Sequence, residues 1–342
     1  MASQSAMNLG MIPGGVSSGG RVASAAVRCP ACDEPMRSAA VERYGKYERF
    51  ACSACELEFW EPREMPDAGW YEQMYRGRDQ QLLPLEPGHK YFLADPHAPG
   101  SGALLDIGCG TGNFLAASHH AGYRVTGLEL DRNAASFAEQ LLDVDTVLPL
   151  TITGFVERHP EAKFDVVTFF EVLEHQAAPR EFLDRVRACL RSGGLIALSV
   201  PNRYRWLTGP DVLDYPPNHF LRWSAAALTK FLSAQGFEIL SLREQPPGIT
   251  HTAQMINMAL RTGLTRPKAG EPSRSFRDVM QMKREEAEAA LRATPTMRER
   301  MLGVLGRIKY AACFPLAVAA LPYVRMRGYK GTYMYCLAKK RD

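Results

Sequence analysis

The stretch Leu104–Leu115 reads LLDIGCGTGNFL, and its reading decides the fold. Leu104, Leu105 and Ile107 make a short apolar run that suits a buried strand, and from Phe114 onward the pattern suits a helix. Between them glycines fall at every second position, Gly108, Gly110 and Gly112. A dinucleotide fingerprint, G-x-G-x-x-G, would need its third small residue at position 113, which is Asn113. The loop is therefore a strand-to-helix turn in which glycine lets the backbone approach a ligand closely. Asp106, just ahead of the loop, disfavours a phosphate and suits a cationic ligand.

Outward from this loop the chain alternates. Strands are expected at 103–107, 123–130, 144–149, 164–170, 195–202 and 238–245, with helices at 112–121, 132–142, 178–194 and 224–237. Alternation of this kind gives a parallel sheet whose ligands sit at the carboxyl ends of the strands. Glu129 ends the second strand, 21 residues after Gly108, where an acid can accept both hydroxyls of a ribose. The rhythm stops after residue 246. Residues 247–329 read as helical, and GTYMYCLAKK (331–340) alternates like a strand.

The chain has 342 residues and 46% hydrophobic content, enough for one medium core with additions. No apolar run reaches transmembrane length. The longest candidate, 308–324, is interrupted by Pro315 and Pro322 and framed by Arg307, Lys309, Arg325, Arg327 and Lys330. That pattern fits a helix lying in a membrane interface, and equally a helix packed on the sheet. Net charge is +4, unevenly spread: residues 261–342 carry 18 Lys+Arg against 7 Asp+Glu, and the remainder 23 against 30. The C-terminal part therefore faces something anionic or presents a solvated helical surface. Residues 1–27 hold no acid and many Gly and Ser, the composition of a disordered tail; a transit peptide is the alternative, although Arg21 is the sole positively charged side chain there.

Eight cysteines are present, four of them in two C-x-x-C pairs, Cys29/Cys32 and Cys52/Cys55, with 19 residues between the pairs. The spacing matches a four-cysteine zinc site with two knuckles joined by a hairpin. Two disulfides or a redox pair are the alternatives, although a redox C-x-x-C normally opens a helix in a βαβ unit, and none is expected here. Thiolate ligands imply a reducing compartment, the cytoplasm.

The string LDIGCGTGNF resembles motif I of the class I S-adenosylmethionine (SAM) dependent methyltransferases. The resemblance implies a Rossmann-like α/β sheet with a seventh strand, here 331–340, inserted antiparallel beside the sixth. The implied organisation is a tail (1–27), a zinc ribbon (28–62), a helical linker or cap (63–100) carrying Trp70, Tyr71 and Tyr75, a SAM-binding core (101–246), a helical insertion (247–329) and the last strand (330–342). SAM would lie against Asp106, Gly108, Cys109, Gly110, Thr111, Gly112, Glu129, Leu130 and Glu171. The family often binds adenine with an acid or Asn after the third strand, whereas LPLTITGF (148–155) holds neither.

FFEVLEHQAAP (169–179) is similar to ubiquinone-pathway O-methyltransferases and to small-RNA 2′-O-methyltransferases. In those families Glu171, Glu174 and His175, joined in the RNA enzymes by a later histidine comparable to His219, can bind a divalent metal such as Mg²⁺. Across the wider class the same string carries no metal, and His175 or His219 then serves as base, as a polar group beside the substrate or as a structural residue. Asn202, Tyr204 and Trp206, after the fifth strand, are candidates for the acceptor wall. Bacterial methyltransferases with an N-terminal zinc ribbon and a PNHFLRWS-type segment (217–224) resemble the chain most. The resemblance implies methyl transfer, with O-methylation favoured, to a small-molecule or lipid- or glycan-linked acceptor. Peripheral membrane contact through 308–324 is a further expectation. The alternatives are a metal-dependent RNA methyltransferase and a SAM-binding zinc-ribbon adaptor without turnover.

Overall fold

The computed structural model describes residues 27–66, 69, 84–142, 147–205, 214–262 and 297–342, without side chains at 258, 259, 261, 262 and 297–307. The N-terminal tail, Trp70, Tyr71, Tyr75, Trp206 and the side chain of Arg307 lie outside the described residues.

Seven strands make the central sheet: β4 (Gly102–Ile107), β5 (Tyr123–Leu128), β6 (Val147–Leu148), β7 (Phe164–Phe170), β8 (Leu190–Pro201), β10 (Phe237–Glu244) and β11 (Tyr333–Lys340). Their order is β10-β11-β8-β7-β4-β5-β6. β4 pairs in parallel with β5 and β7, and β7 in parallel with β8. β11 runs antiparallel to both β8 and β10, as expected of 331–340. Leu104, Leu105, Val166, Val167, Ile196 and Leu198 fill the strand interiors, all fully buried. Near-continuous apolar runs of this kind are what a sheet covered on both faces requires.

The covering helices are α1 (Pro87–Leu93), α2 (Asn113–His120), α3 (Arg132–Leu142), α4 (Ile152–Arg158), α5 (Pro179–Cys189) and α6 (Ala225–Ala234). α5 turns Phe182, Leu183, Val186 and Cys189 inward. α6 is capped by Ser224, whose hydroxyl accepts from the Ala227 N–H at 3.0 Å. β8 starts at Leu190, five residues earlier than its sequence suggests. Phe164 pairs with Leu190 and Val166 already with Leu195, so Ser192-Gly193-Gly194 forms a bulge inside the strand rather than the end of a helix. Gly193 takes φ +64° there.

After β10 come α7 (Ile249–Thr262) and α8 (Met297–Met326). α8 continues through Pro315 and Pro322 instead of breaking. Each proline withdraws one helical N–H, and the carbonyls thereby released belong to Ala311 and Val318, both at exposed positions.

A second sheet is antiparallel. Its first three strands, β1 (Glu42–Tyr44), β2 (Tyr47–Ala51) and β3 (Glu58–Glu61), come from the cysteine-rich segment, whereas β9 (Leu221–Arg222) belongs to the chain between β8 and α6. The order is β1-β2-β3-β9. Glu58 pairs with Arg222 and Phe59 with Leu221. The ribbon is thus completed by a strand from the core, which nothing in the sequence pattern signalled.

Candidate active site

The site is built where β4 and β7 end. Gly108, Gly110 and Gly112 take φ of +76°, +53° and +78°, a left-handed conformation that costs other L-residues about 1–2 kcal/mol. Each glycine serves differently. A Cβ at Gly108 would lie 2.8 Å from Val172 Cγ2, and one at Gly112 would lie 2.7 Å from Ala138 Cβ, whereas one at Gly110 would meet nothing within 4 Å. Gly108 and Gly112 are therefore small because the loop packs tightly. Gly110 is small beside open space.

Glu129 holds this loop in shape. One carboxylate oxygen accepts from the Gly110 N–H at 2.9 Å and the other from the Asp131 N–H at 2.8 Å. Burial raises its pKa, against those backbone hydrogen bonds. Asp106 is buried and accepts from the Thr168 hydroxyl at 2.6 Å. Desolvation, with Glu129 nearby, pushes its carboxyl up to about 7, so a cationic ligand at the loop would ease the burial of its charge. Cys109 and Thr111 are buried in the turn and Leu130 is half-buried. Gly127 faces the Cys109 sulfur so closely that a Cβ would sit 2.7 Å from it. The segment after β6 presents Thr151 as the cap of α4, accepting from the Gly154 N–H at 3.1 Å.

Beyond the loop stands a group of carboxylates and imidazoles. Glu171 has φ +54°, a strained conformation fixed by its N–H donating to the Ser199 carbonyl (3.0 Å) and by the Ser199 hydroxyl donating to its carboxylate (2.8 Å). Burial, with Glu86 adding repulsion, raises its pKa to about 8. Glu174 is 1% exposed, and neither of its carboxylate oxygens has a hydrogen-bond partner among the described residues. Instead Oε1 lies 3.9 Å from Nε2 of His175 and 3.9 Å from Nε2 of His219. Desolvation drives the Glu174 pKa well up. Desolvation and His219 bring that of His175 down to about 3.

Each histidine is oriented from behind. His175 Nδ1 lies 2.5 Å from the Asn218 carbonyl, which fixes it as the donor and leaves Nε2 as the lone-pair nitrogen facing Glu174. His219 Nδ1 lies 3.5 Å from Asp214. Burial alone would raise the Asp214 carboxyl. The hydrogen bond with His219 and the Arg205 and Arg222 guanidiniums nevertheless hold it well below the usual carboxylate range.

The structure thus brings Glu174, His175 and His219 together, with one ligand atom from each within 4.8 Å of the others, and leaves Glu171 on Ser199. Asn202 is fully buried, donates to Glu244 at 2.9 Å and braces the turn by accepting from the Tyr204 N–H, so it knits β8 to β10 rather than lining an acceptor wall. Tyr204 is 47% exposed. Sequence reading missed Asp214, Asn218 and Ser199, which act through short-range contacts that no spacing rule encodes. It also missed Glu86, which caps α1 reciprocally with His89 while the adjacent Gly88 packs on Ser199 and Phe170. The E-P-x-H string at 86–89 was the available signal.

The ribbon is locked to this site by charge. Glu58 accepts from Arg49 at 2.5 Å and from Arg222, and Arg203 lies 3.4 Å away. Arg222 reaches Asp214 at 3.9 Å, and Arg205 pairs with the same carboxylate at 2.5 Å. In the ribbon the Sγ atoms of Cys29 and Cys55, and of Cys32 and Cys52, are 3.6 Å apart, far beyond a disulfide bond. Four thiolates around zinc at about 2.3 Å stand about 3.8 Å apart, so these residues fit the ion. The two knuckles repeat one turn: Asp33 N–H donates to the Cys29 carbonyl and Glu56 N–H to that of Cys52, with φ +62° at Asp33 and +67° at Glu56.

Known proteins resemble parts of this chain. A family profile for a methyltransferase domain matches residues 77–242. A "probable S-adenosylmethionine-dependent methyltransferase" of Mycolicibacterium smegmatis is 31% identical over 167 residues, covering 47% of this chain and 60% of that protein. A ubiquinone biosynthesis O-methyltransferase of Bradyrhizobium sp. is 32% identical over 143 residues, covering 38% and 55%. The chain thus spans little more than half the length of these relatives. Among solved structures, a SAM-dependent methyltransferase from Archaeoglobus fulgidus has a TM-score of 0.44 at 16% identity, covering 80% of this chain and 99% of that one. Residues 77–242 of this chain are thus similar to a methyltransferase domain, and the relatives that match it include proteins named as SAM-dependent methyltransferases.

Proposed function

We propose that this protein transfers the methyl group of SAM to an oxygen of a small-molecule or lipid- or glycan-linked acceptor. The observation that carries the reading is the pairing of an open glycine loop, held by Glu129, with buried polar groups at the same end of the sheet. In this reading Gly110 gives the cofactor its approach, the Glu129 oxygens use their second lone pairs for the ribose, and Asp106 faces the cationic end. The sulfonium is already activated, so the chain's work is in-line positioning and removal of the acceptor proton.

Replacing Glu129 by Ala should weaken SAM binding by about 2–4 kcal/mol, read by calorimetry. Unchanged affinity, or equal binding of NAD, would sink the proposal. Methyl transfer itself is tested by a metabolite screen with labelled SAM.

A second reading is favoured by Glu174. A buried carboxylate with no hydrogen-bond partner among the described residues faces a histidine whose Nε2 lone pair points at it. A histidine held down to about 3 is a weak general base but a ready metal ligand. One carboxylate and two imidazoles suit Mn²⁺, Fe²⁺ or Zn²⁺ better than Mg²⁺, which takes oxygen ligands. Such an ion would polarise the acceptor oxygen, with Asn218 and Asp214 orienting the imidazoles from behind. Transfer that persists after chelation, with the ribbon zinc still bound, counts against this reading. It counts equally against the RNA alternative, which needs the same residues.

A further inference from the structure

Helix α8 carries the most unusual surface of the molecule. From Tyr310 to Val324 it has no charged, amide or carboxylate side chain. A helix apolar on every face is normally buried all round. Here only one face is. Cys313, Ala317 and Val324 are about fully buried, the first two packing with Tyr310 and Phe314 on Ala253 and Ile256 of α7. The rest of its circumference is exposed: Leu316 at 54% and Tyr323 at 57% on one flank, Val318 at 55% on the other, Ala311, Pro315, Ala319 and Pro322 on the arc between them, with Ile308 and Met326 in line at the ends. Among the described residues, those from Ile249 to Tyr329 supply eight of the thirteen large exposed hydrophobics, so exposed apolar surface is concentrated in this part of the chain.

Charge frames the patch. Lys309 stands at one end of the apolar stretch, and Arg325 and Arg327 at the other, all exposed. The segment 261–342 is cationic, 18 Lys+Arg against 7 Asp+Glu, on a body with the opposite balance. The 15 residues of the apolar stretch would measure about 22 Å as helix, short of the roughly 30 Å of a bilayer core. No helix among the described residues is long and apolar enough to cross a membrane. The outer face therefore fits a surface that is apolar below and anionic at the level of the basic ends.

We propose that α8 docks the protein on an anionic lipid surface, with Leu316, Val318 and Tyr323 entering the headgroup region and Lys309, Arg325 and Arg327 meeting lipid phosphates. The docked element lies close to the site. Lys330 N–H, just past α8, donates to the Tyr204 carbonyl at 3.3 Å, and β11 then enters the sheet beside the carboxyl end of β8. This inference does not depend on which acceptor is methylated.

The test is co-sedimentation of the full chain with vesicles of phosphatidylglycerol and phosphatidylcholine, and of phosphatidylcholine alone. Binding is expected on the anionic vesicles at low salt, with release at 0.5 M salt or above, where the Debye length falls to about 4 Å. The double variant L316S/V318S should lose at least tenfold in partitioning with its melting temperature unchanged. The pair K309E/R327E should lose a similar factor. Three results overturn the proposal. One is absence of binding to anionic vesicles at low salt. Another is a concentration-dependent dimer that L316S/V318S dissolves, which would make a second copy the occupant of the face. The last is a lowered melting temperature in L316S/V318S without vesicle binding by the parent, which would mean that the chain covers this face itself.

Discussion

The loop glycines make one test especially sharp, because two of them differ only in what lies opposite the missing Cβ. Gly110→Ala and Gly112→Ala impose the same backbone demand, since φ is +53° and +78°. That demand costs about 1–2 kcal/mol in each. At Gly112 the new methyl would also lie 2.7 Å from Ala138 Cβ and 3.2 Å from Ala138 Cα, atoms of a helix that cannot swing aside. Forcing a methyl into packed surroundings adds about 1–3 kcal/mol. At Gly110 nothing stands within 4 Å, so no second cost arises. The expected losses are thus about 1–2 kcal/mol for Gly110→Ala and about 2–5 kcal/mol for Gly112→Ala. For a domain of this size the two melting temperatures should then differ by about 2–12 °C. SAM binding should show the reverse emphasis among molecules that remain folded, because the methyl at 110 would project into the open space where the proposed cofactor lies. Thermal unfolding followed by calorimetric titration below the transition measures both. Equal destabilisation by the two changes, or native affinity in Gly110→Ala, would refute the division of labour.

Two further outcomes follow from buried groups. Cys32→Ser should abolish one equivalent of zinc, counted by metal analysis of protein purified without added metal. It should also lower the melting temperature while leaving the loop able to bind SAM; a stoichiometric metal content in the variant would dismiss the four-thiolate site. Asp106 titrates near 7 when folded and at 3.8 when unfolded, so the native state retains a proton that the unfolded chain has released. Stability of the ligand-free protein should therefore fall as pH rises from about 4 to about 7, by up to about 1.4 kcal/mol per unit, then level off for this group. Asp106→Asn should lessen that slope, to which Glu171 adds in the same direction, and denaturant titrations at several pH values in which the variant's slope equals the parent's would contradict the assignment.

Much of this architecture was legible in the chain itself, and the reason is periodicity. β4, β5 and β7 are apolar runs closed by turn residues, and β11 alternates with Tyr335 and Leu337 on one face. The cysteine pairs announced themselves by spacing. Glu129 could be found because the distance from the glycine loop to the end of the next strand is set by one helix and one strand. What escaped was tertiary. β9 is two residues long, and no pattern marks Leu221–Arg222 as the partner of Glu58–Phe59. Asp214 acts on His219 through a turn that contains Pro216 and Pro217, and Asn218 contributes only its carbonyl, which any residue could supply. The prolines of α8 misled in the other direction, since a helix whose released carbonyls are exposed can tolerate them.

The two-residue strand β9 also orders events in time. The knuckles close over short range, so a nascent chain can capture zinc once residue 55 has emerged. The sheet that backs them stays three-stranded until residues 221 and 222 arrive, more than 160 positions later. At the usual pace of synthesis that interval is about 8–30 s. Until then Glu58 lacks Arg222, and the edge of β3 at Glu58 and Phe59 is open to any passing strand. The ribbon is thus read out first but finished late, and a shortened chain that begins after residue 62 would expose β9 in turn, turning what reads as a detachable module into the missing half of a shared sheet.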